Sequence, residues 1–421
     1  MGISFIILAV LAIFTVPIAY SVGLAAVGGL LVAGVPLQIV AQRMFTQTDS
    51  FSLMAIPFFI LAGNLMDKGG ISVKLIDLST ELVGRMKGGL AMVCVVACML
   101  FGAVSGSGAA ASAAIGAVLF PALVENKYNK SFSTAIIATS GPLGIVIPPS
   151  IVMVVYATSA NVSVGDLFLA GYIPGILLGL GIIIHCYVYA RINKCPAGKK
   201  TTIKSFSKAF INSVWALFLV VIIMGGILGG FFTATEASVV AVIYAILIGK
   251  FVYKGLNKKI ILSVVANSAK TTAAIMFCIA TTNVFAWGLT SEQIISKIAV
   301  MMLNISQSKI IVMLLINLIL LVLGAILDAT PAIILIVPIL MPVIQKLGID
   351  PVHFGIITTI NLAIGMSTPP VGVTLFVSSS LTKTPITEVI KPMIPIWLIL
   401  ITILMFVTFV PSISMFLPTI F

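Results

Sequence analysis

Long apolar runs separated by short polar stretches dominate the hydrophobic pattern of this chain. An apolar run of about twenty residues is long enough to cross the hydrocarbon core of a bilayer as a helix. The pattern therefore predicts a chain that crosses the membrane many times. Uninterrupted spans are predicted at 3–16, 18–34, 51–66, 167–190, 209–230, 233–249, 271–289 and 393–416.

Two other apolar runs, 88–126 and 309–346, are interrupted near their middle by small or polar residues. The first is interrupted at Ser105-Gly106-Ser107-Gly108 and the second at Leu327-Asp328-Ala329-Thr330-Pro331. Each half has about fifteen residues, which is short for a span at a rise of 1.5 Å per residue. We therefore predict two re-entrant helical hairpins, each of which enters and leaves the membrane on the same side.

A third kind of segment, at 131–160 and 353–381, has the pattern of a helix broken within the membrane. The first contains glycine and proline from Gly141 to Pro149, and the second contains them from Gly365 to Pro370. Proline removes a helix hydrogen bond and glycine weakens a helix, so both runs are predicted to be discontinuous.

Two amphipathic stretches, 68–87 and 291–308, separate the spans from the hairpins. The first is too charged to cross a bilayer, so we predict that it lies as a helix at the membrane interface. Its charged side chains are Lys68, Lys74, Asp77, Glu81, Arg85 and Lys87.

A single sequence offset relates the two halves of the chain. Adding 221 to Pro148-Pro149 gives Pro369-Pro370, and adding it to Gly144 gives Gly365. The same offset places the interruption of the first hairpin on that of the second. Chance similarity of apolar sequence would not put four interruptions in register, so the offset indicates an internal duplication.

The duplication predicts three regions. A first repeat covers 1–194, a basic cytoplasmic linker covers 195–208, and a second repeat covers 209–421. Within each repeat the order is spans, amphipathic helix, hairpin, broken helix and a final span.

Basic residues predict the orientation of the repeats. Cytoplasmic loops of membrane proteins carry an excess of Lys and Arg. If 191–208 is cytoplasmic, the first hairpin opens to the cytoplasm and the second opens to the outside. The two repeats are then inverted relative to one another, and both termini are external. The basic clusters fall at 68–87, 127–130, 191–208 and 250–270.

Composition supports a membrane class and excludes several functions. Of 421 residues, 60% are hydrophobic and 8% are charged, whereas a soluble domain carries about a quarter charged residues. The net charge of +12 could suggest nucleic-acid binding, but the basic residues lie in the predicted loops, where topology explains them. The five cysteines have no metal-binding or disulfide spacing.

The interruptions carry the candidate chemistry. A broken helix frees N–H and C=O groups that find no water in lipid, so breaks persist where they line a cavity. The N-terminal end of a half-helix attracts an anion, while unwound carbonyls coordinate a cation. Four breaks that meet near the middle of the membrane would form two related cation sites beside one anion site.

Hydroxyl, carbonyl and carboxylate oxygens at the breaks suit sodium, and Asp328 is the one acid within its hairpin. An acid inside a membrane is a functional candidate. Simple helix packing, with Asp328 as a cap, is the alternative, but recurrence at matched positions favours function. Candidate sodium ligands are Ser105, Ser107, Gly108, Gly141, Gly144 and Ile145 in the first half, and Asp328, Thr330, Gly365, Met366 and Thr368 in the second. Candidate substrate contacts are Ser105, Ser107, Ser150 and Thr330.

Other classes of function are less consistent with these features. The sequence has no G-x-x-x-x-G-K-[S/T] motif for ATP hydrolysis and no convergent acid–base or metal set within the membrane, so an enzyme is not predicted. A channel would need a continuous polar pore, which the paired hairpins disfavour.

Four motifs stand out in the third span, at the first hairpin and at the two broken helices. They are Ile56-Pro57-Phe58-Phe59-Ile60-Leu61-Ala62-Gly63, Phe101-Gly102-Ala103-Val104-Ser105-Gly106-Ser107, Gly141-Pro142 through Ile147-Pro148-Pro149-Ser150, and Thr368-Pro369-Pro370-Val371-Gly372. Together, and over essentially the whole chain, they resemble the large membrane subunit of tripartite ATP-independent periplasmic (TRAP) transporters.

The resemblance implies an all-α, inverted-repeat fold of the elevator type, as in the ion transporter superfamily, with about 11 spans, two hairpins and two broken helices. A transport domain of hairpins and broken helices would slide against a scaffold, and the helices at 68–87 and 291–308 would be the arms between them. The resemblance also implies a multi-pass protein of the bacterial inner membrane.

It further implies cotransport of two or more sodium ions with an organic acid of the sialic acid or C4-dicarboxylate type. Two protein partners are expected: a small four-helix membrane subunit as a separate chain, and an extracytoplasmic substrate-binding protein. A stand-alone sodium/organic-anion symporter of the same superfamily is the alternative. Those usually carry Ser-Asn-Thr at both hairpin tips, where this chain has Ser-Gly-Ser and Asp-Ala-Thr.

Overall fold

The computed structural model describes residues 2–14, 16–198, 202–295, 297, 300–301, 306 and 308–421, and within them every regular element is helical. The first half contains α1 (Gly2–Ile13), α2 (Ile18–Val32), α3 (Gln38–Thr48), α4 (Ala55–Lys68), α5 (Ile71–Val83), α6 (Gly89–Ser105), α7 (Gly108–Glu125), α8 (Lys130–Ser140), α9 (Leu143–Val146), α10 (Ile151–Ala160) and α11 (Val164–Ile192). The second half contains α12 (Ile203–Leu228), α13 (Ala234–Leu247), α14 (Lys258–Ser291), α15 (Lys309–Ile326), α16 (Ala329–Lys346), α17 (Pro351–Gly365), α18 (Val373–Thr382), α19 (Ile386–Phe409) and α20 (Ser412–Ile420).

The two predicted hairpins are present as helix pairs, α6–α7 (the first hairpin) and α15–α16 (the second hairpin). Each reverses across two residues, at Gly106-Ser107 and at Leu327-Asp328. The helices have 17 or 18 residues, or about 27 Å at 1.5 Å per residue, so they are longer than the sequence predicted. Length alone therefore does not make them re-entrant. Their re-entry stays a prediction; the structure shows that both tips lie at one cavity described below.

Both predicted broken helices are present as well. The first is α8 followed by the short α9 and α10, with a bend of 46° between the part that ends at Val146 and α10. The second is α17 followed by α18, with residues 366–372 between them. In the first broken helix, α8 ends at Ser140 and Gly141 follows it. In the second, α17 ends at Gly365.

Helix bounds follow the sequence offset. Adding 221 to both ends of Gly108–Glu125 gives 329 and 346, which are the bounds of α16. The same addition to Lys130, the first residue of α8, gives Pro351, the first residue of α17. The polar positions that start and stop these helices therefore recur in both halves.

Helix α5 occupies the predicted interfacial stretch, but it is shorter than 68–87. It packs between α6 of the first hairpin and α12. Two hydrogen bonds fix it to α12: Ser213 Oγ donates to the Lys74 carbonyl at 2.7 Å, and Ser205 Oγ donates to Glu81 Oε2 at 2.8 Å. The matching stretch at 291–308 lies partly outside the described residues, which omit 296, 298–299, 302–305 and 307.

The structure corrects two sequence boundaries and adds one helix. The linker predicted at 195–208 ends early, because α12 begins at Ile203, where Thr202 and Ser205 form a capping box. The basic stretch before the predicted span 271–289 is helical from Lys258, so α14 has 34 residues; long Lys side chains can reach water from a helix that extends past the lipid core. Helix α3 was not predicted at all.

The final span is also corrected. Instead of one helix over 393–416, α19 ends at Phe409 and α20 begins at Ser412. Pro411 stands at the junction, where its ring cannot donate a helix hydrogen bond and disfavours helical backbone at the residue before it.

Eight helices in the described part of the chain are long and apolar enough to span a membrane, or nine if the bent pair of the first broken helix counts as one span. The expected number of about 11 is therefore not confirmed. The difference arises because several apolar helices, α2, α6, α17 and α18 among them, have fewer than 18 residues.

Candidate functional site

The tips of both hairpins line one central cavity of about 290 Å³. Its walls come from α4, α10 and α14, from both hairpin tips and from both breaks. The side chains and backbone that line it are Ile60, Gly63, Asn64, Asp67, Phe101, Ser105, Gly106, Ser107, Gly108, Ala109, Ala110, Ile145, Ile151, Val152, Thr271, Ile275, Asp328, Ala329, Thr330, Met366 and Val373.

Local geometry at the first tip is set by Gly106, whose φ of +63° lies in the left-handed region that favours glycine. This turn ends α6 and leaves Ser107 as the N-cap of α7, where its Oγ accepts from the Ala110 amide at 3.3 Å. The Ser107 amide donates to Ser105 Oγ at 3.4 Å. The two predicted serines therefore form the tip itself, with hydroxyl oxygens at the cavity.

At the second tip, Asp328 takes the N-cap position of α16, and it is 221 positions after Ser107. Unlike Ser107, its side chain makes no capping hydrogen bond to the helix. The residue is exposed in the protein and borders the cavity, and Thr330 in the first turn is buried beside it. One half thus presents hydroxyls to the cavity and the other presents a carboxylate.

Three predicted glycines do not line the cavity but permit close backbone contact. A Cβ on Gly144 would lie 2.7 Å from Gly102 Cα, and one on Gly365 would lie 2.6 Å from Gly324 Cα. A Cβ on Gly141 would lie 2.7 Å from the Gly108 carbonyl oxygen. In each half, the backbone at the break therefore packs in direct contact with the backbone of the hairpin of the same half.

Three further predicted residues are engaged in local hydrogen bonds. Ser150 is buried and lies outside the cavity lining, where its Oγ caps α10 by accepting from the Met153 amide at 3.4 Å. Thr368 Oγ1 donates to the Ile364 carbonyl at 2.8 Å and also lies outside the lining. Met366 does border the cavity, but its carbonyl accepts from the amide and hydroxyl of Thr374, at 2.9 and 2.8 Å.

The structure adds three polar residues that the sequence analysis missed: Asn64, Asp67 and Thr271. Asn64 and Asp67 are three residues apart and share a face of α4 with Ile60. Asn64 Nδ2 donates to Ser268 Oγ of α14 at 2.9 Å and so ties the two helices together. An Asn inside an otherwise apolar span was the available signal, because such residues are rare in lipid.

Helix α4 also touches the first tip directly. A Cβ on Gly63 would lie 2.9 Å from the carbonyl oxygen of Ser105. At Gly63 the backbone of α4 is therefore in direct contact with the first tip, with no side chain between them.

Charge distinguishes this cavity from an ordinary anion pocket. Two carboxylates, Asp67 and Asp328, border it, and among the described residues that line it none is Lys, Arg or His. Asp67 is partly neutralised by Lys68, whose Nζ lies 3.4 Å from Asp67 Oδ2. No group of three or more His, Cys, Asp or Glu in the described part of the chain could hold a metal ion. The carboxylate and hydroxyl oxygens in this lining are of the kind that bind hard cations.

Substitution by alanine distinguishes the role of Ser105 from that of Ser150. Ser105→Ala removes a cavity hydroxyl, so we expect the KM for cargo or sodium to rise roughly tenfold, as for a lost hydrogen bond to a charged group. Ser150→Ala removes a helix cap, so we expect it to lower stability by about 1 kcal/mol with KM unchanged. Uptake kinetics and thermal unfolding of both variants test this. Unchanged kinetics in Ser105→Ala would remove it from the site, and a raised KM in Ser150→Ala would place Ser150 in it.

These features define a multi-span helical membrane protein in which two hairpins and two broken helices surround one cavity that has carboxylates and hydroxyls in its lining. That arrangement is typical of secondary transporters. A family model described as the DctM component of the tripartite ATP-independent periplasmic transporter matches residues 5–413. The chain belongs to this family of large TRAP permeases, which are transport proteins and not enzymes.

Individual relatives agree with the family assignment. The chain is 41% identical to the C4-dicarboxylate TRAP transporter large permease protein DctM of Pseudomonas aeruginosa, over 90% of this chain and 88% of that protein. It is 42% identical to the isethionate TRAP transporter permease protein DctMQ of Oleidesulfovibrio alaskensis, over 95% of this chain and 64% of that longer protein. It is 41% identical to the uncharacterized protein YgiK of Salmonella typhimurium, over 96% of this chain and 94% of that one.

A solved structure shares the fold. The YdaH transporter of Alcanivorax borkumensis superposes with a TM-score of 0.65 over 88% of this chain and 86% of that one, at 14% sequence identity. The same overall fold therefore occurs in a transporter with a very different sequence.

Proposed function

We propose that this chain imports a small organic acid together with two or more sodium ions, as the large membrane subunit of a TRAP transporter. The observation that carries the proposal is the acidic lining of the central cavity. An organic anion placed beside Asp328, with no basic side chain among the described lining residues, would be repelled unless cations bind with it. Sodium ions at the hairpin tips would remove that repulsion and make anion binding depend on sodium.

The sodium positions we propose are the two tips. In the first half, the hydroxyls of Ser105 and Ser107 and the backbone at Gly108 supply oxygens; in the second half, Asp328 and Thr330 do. The glycines Gly141, Gly144 and Gly365 would act indirectly, by letting the breaks approach the tips. The cargo would lie between the tips, in contact with hydroxyls of Ser105, Ser107 and Thr330.

The cargo class follows from the relatives. Their names include carriers of C4-dicarboxylates, of isethionate and of 2,3-diketo-L-gulonate, all of which are small organic anions. We therefore propose a small organic acid, with C4-dicarboxylates as the first to assay. Sialic acid, which the sequence analysis also named, stays a prediction for the same assay.

The movement we propose is an elevator. The hairpins and broken helices would form the moving unit, and α5 would be one arm, since it packs on the first hairpin and on α12. The Gly63 contact supports this, because a helix without a side chain at that point offers little resistance to a sliding tip.

The proposed transporter requires two further proteins. The TRAP family implies a small membrane subunit and a periplasmic binding protein, and the DctMQ relative, in which this chain matches 64% of the length, carries a name that joins both membrane components. We propose that the three proteins work together in a bacterial inner membrane.

Reconstitution tests the proposal. Liposomes that contain this chain and the small subunit should take up labelled C4-dicarboxylate only when the binding protein and an inward sodium gradient are both present. A potassium gradient of the same size is the control for ionic strength and membrane potential. Uptake of free cargo by this chain alone would contradict the tripartite assignment and favour the stand-alone symporter, while uptake with potassium alone would contradict sodium coupling.

A further inference from the structure

A second cavity, larger than the central one, lies far from the hairpin tips, at the open end of the second hairpin. Its volume is about 550 Å³, within the range of about 300–1,000 Å³ that is usual for ligand sites. It is formed where α15 and α17 begin, where α19 ends, and where the 347–350 loop joins α16 to α17. We call it the Lys309 cavity.

Its opening is lined by apolar side chains that are exposed at the protein surface. Ile310 and Phe409 line it and are 58% and 41% exposed, respectively. In a membrane protein, apolar side chains with this exposure at the end of a spanning helix face lipid. An occupant would therefore enter from the bilayer and not from water.

Two opposite charges border the same cavity. Lys309 and Asp350 both line it and are both exposed, and the two side chains do not form an ion pair with each other. Asp350 Oδ1 accepts from the amides of Val352 and His353, at 2.7 and 3.2 Å, which caps α17 and leaves Oδ2 for another donor. The cavity thus offers an ammonium and a carboxylate at an apolar entrance.

The floor of the cavity is polar and connected to the second broken helix. Buried His353 is 2.6 Å from Ser414 Oγ through Nδ1 and 3.4 Å from the Thr408 carbonyl through Nε2. Asn317 Nδ2 donates to Thr408 Oγ1 at 3.3 Å, and Asn361 Nδ2 donates to Asn317 Oδ1 at 2.7 Å. This chain of hydrogen bonds ends four residues before Gly365, where α17 stops.

We infer that the Lys309 cavity binds a zwitterionic phospholipid, with its phosphate at Lys309, its ammonium at Asp350 and an acyl chain along Ile310, Met313 and Phe409. Phosphatidylethanolamine has both charges in its headgroup. Phosphatidylglycerol carries the phosphate but has no cation for Asp350. The inference is independent of sodium coupling and of the cargo.

Native mass spectrometry of the full chain tests it, with the two lipids matched in acyl chains. Wild type should hold phosphatidylethanolamine about fivefold more tightly than phosphatidylglycerol, as expected for one charge contact near the membrane surface. Lys309→Gln should weaken both lipids. Asp350→Asn should weaken only phosphatidylethanolamine, because Asn preserves the helix cap while removing the charge. Lys346→Gln, at the end of α16 and outside the cavity lining, is the matched control and should behave as wild type.

Thermal unfolding supplies a second measurement. A ligand that binds only the folded state raises the unfolding temperature, so added phosphatidylethanolamine should raise it more for wild type and for Lys346→Gln than for Lys309→Gln. Equal binding of both lipids by wild type, or unchanged binding by Lys309→Gln, would overturn the inference and leave only nonspecific lipid contact. Displacement of the lipid by a C4-dicarboxylate would also overturn it, by assigning the cavity to cargo.

Discussion

Asp328→Asn is expected to abolish sodium-dependent uptake while the protein stays folded. The substitution keeps the size of the side chain and its ability to occupy an N-cap position, but removes the carboxylate from the central cavity. Losing a carboxylate contact to a bound cation costs about 2 kcal/mol, as for a hydrogen bond to a charged group, which corresponds to about a thirtyfold loss in sodium affinity. Uptake measured against sodium concentration, in reconstituted liposomes, gives this directly.

Two comparisons make the Asp328 result specific. Asp166→Asn changes an acid in the first turn of α11, outside the cavity lining, and should leave sodium dependence unchanged. Asp67→Asn should have a smaller effect than Asp328→Asn, because Asp67 is already paired with Lys68. Wild-type sodium dependence in Asp328→Asn would refute the role of the second tip, and a larger effect of Asp67→Asn would move the principal acid to α4.

Gly365→Ala is expected to destabilise the protein strongly and to reduce uptake as a consequence. The added Cβ would lie 2.5 and 2.6 Å from the C and Cα atoms of Gly324, and backbone cannot move aside as a flexible side chain can. Overpacking of this kind costs about 1–3 kcal/mol. Thermal unfolding of the purified variant in detergent, beside its uptake rate, measures both effects.

A glycine in open surroundings provides the control. A Cβ on Gly225, in α12, meets nothing within 4 Å, so Gly225→Ala should be neutral or stabilising by up to about 1 kcal/mol. The prediction would fail if Gly365→Ala unfolded at the wild-type temperature. If such a stable variant had also lost its sodium dependence, the Gly365 carbonyl would act as a cation ligand, as the sequence analysis suggested, and not mainly as a packing contact.

The sequence located the hairpin tips well because their signals are local. Gly106 ends one helix and Ser107 caps the next, and Asp328 stands at the matching N-cap position 221 residues later, without a capping hydrogen bond. Glycine, serine, aspartate and proline act on the backbone of their own segment, so their positions along the chain mark where helices stop. The 221-residue offset strengthened the prediction of these breaks, because chance occurrences of such residues would not recur at matched positions in both halves.

The same local reasoning did not separate cavity residues from packing residues. Ser150 and Thr368 lie in matched breaks beside cavity residues, yet their hydroxyls are used within their own helical turns. Conversely, Asn64, Asp67 and Thr271 border the cavity from helices that carry no interruption. Which face of a helix meets the tips depends on how helices pack, and in lipid the apolar pattern gives little information about that, because the surroundings are as apolar as the core.

By itself, the sequence determined that the chain lies in a membrane, that its two halves share one plan, and where its two hairpins and two broken helices are interrupted. Those properties follow from hydrophobic length and from residues that govern their own backbone. Only the tertiary structure decided that both tips meet at one cavity, that Asp67 joins Asp328 there, and that Gly144 and Gly365 serve close packing. These depend on contacts between segments far apart in sequence, in which each residue's role is set by the partner that folding places against it.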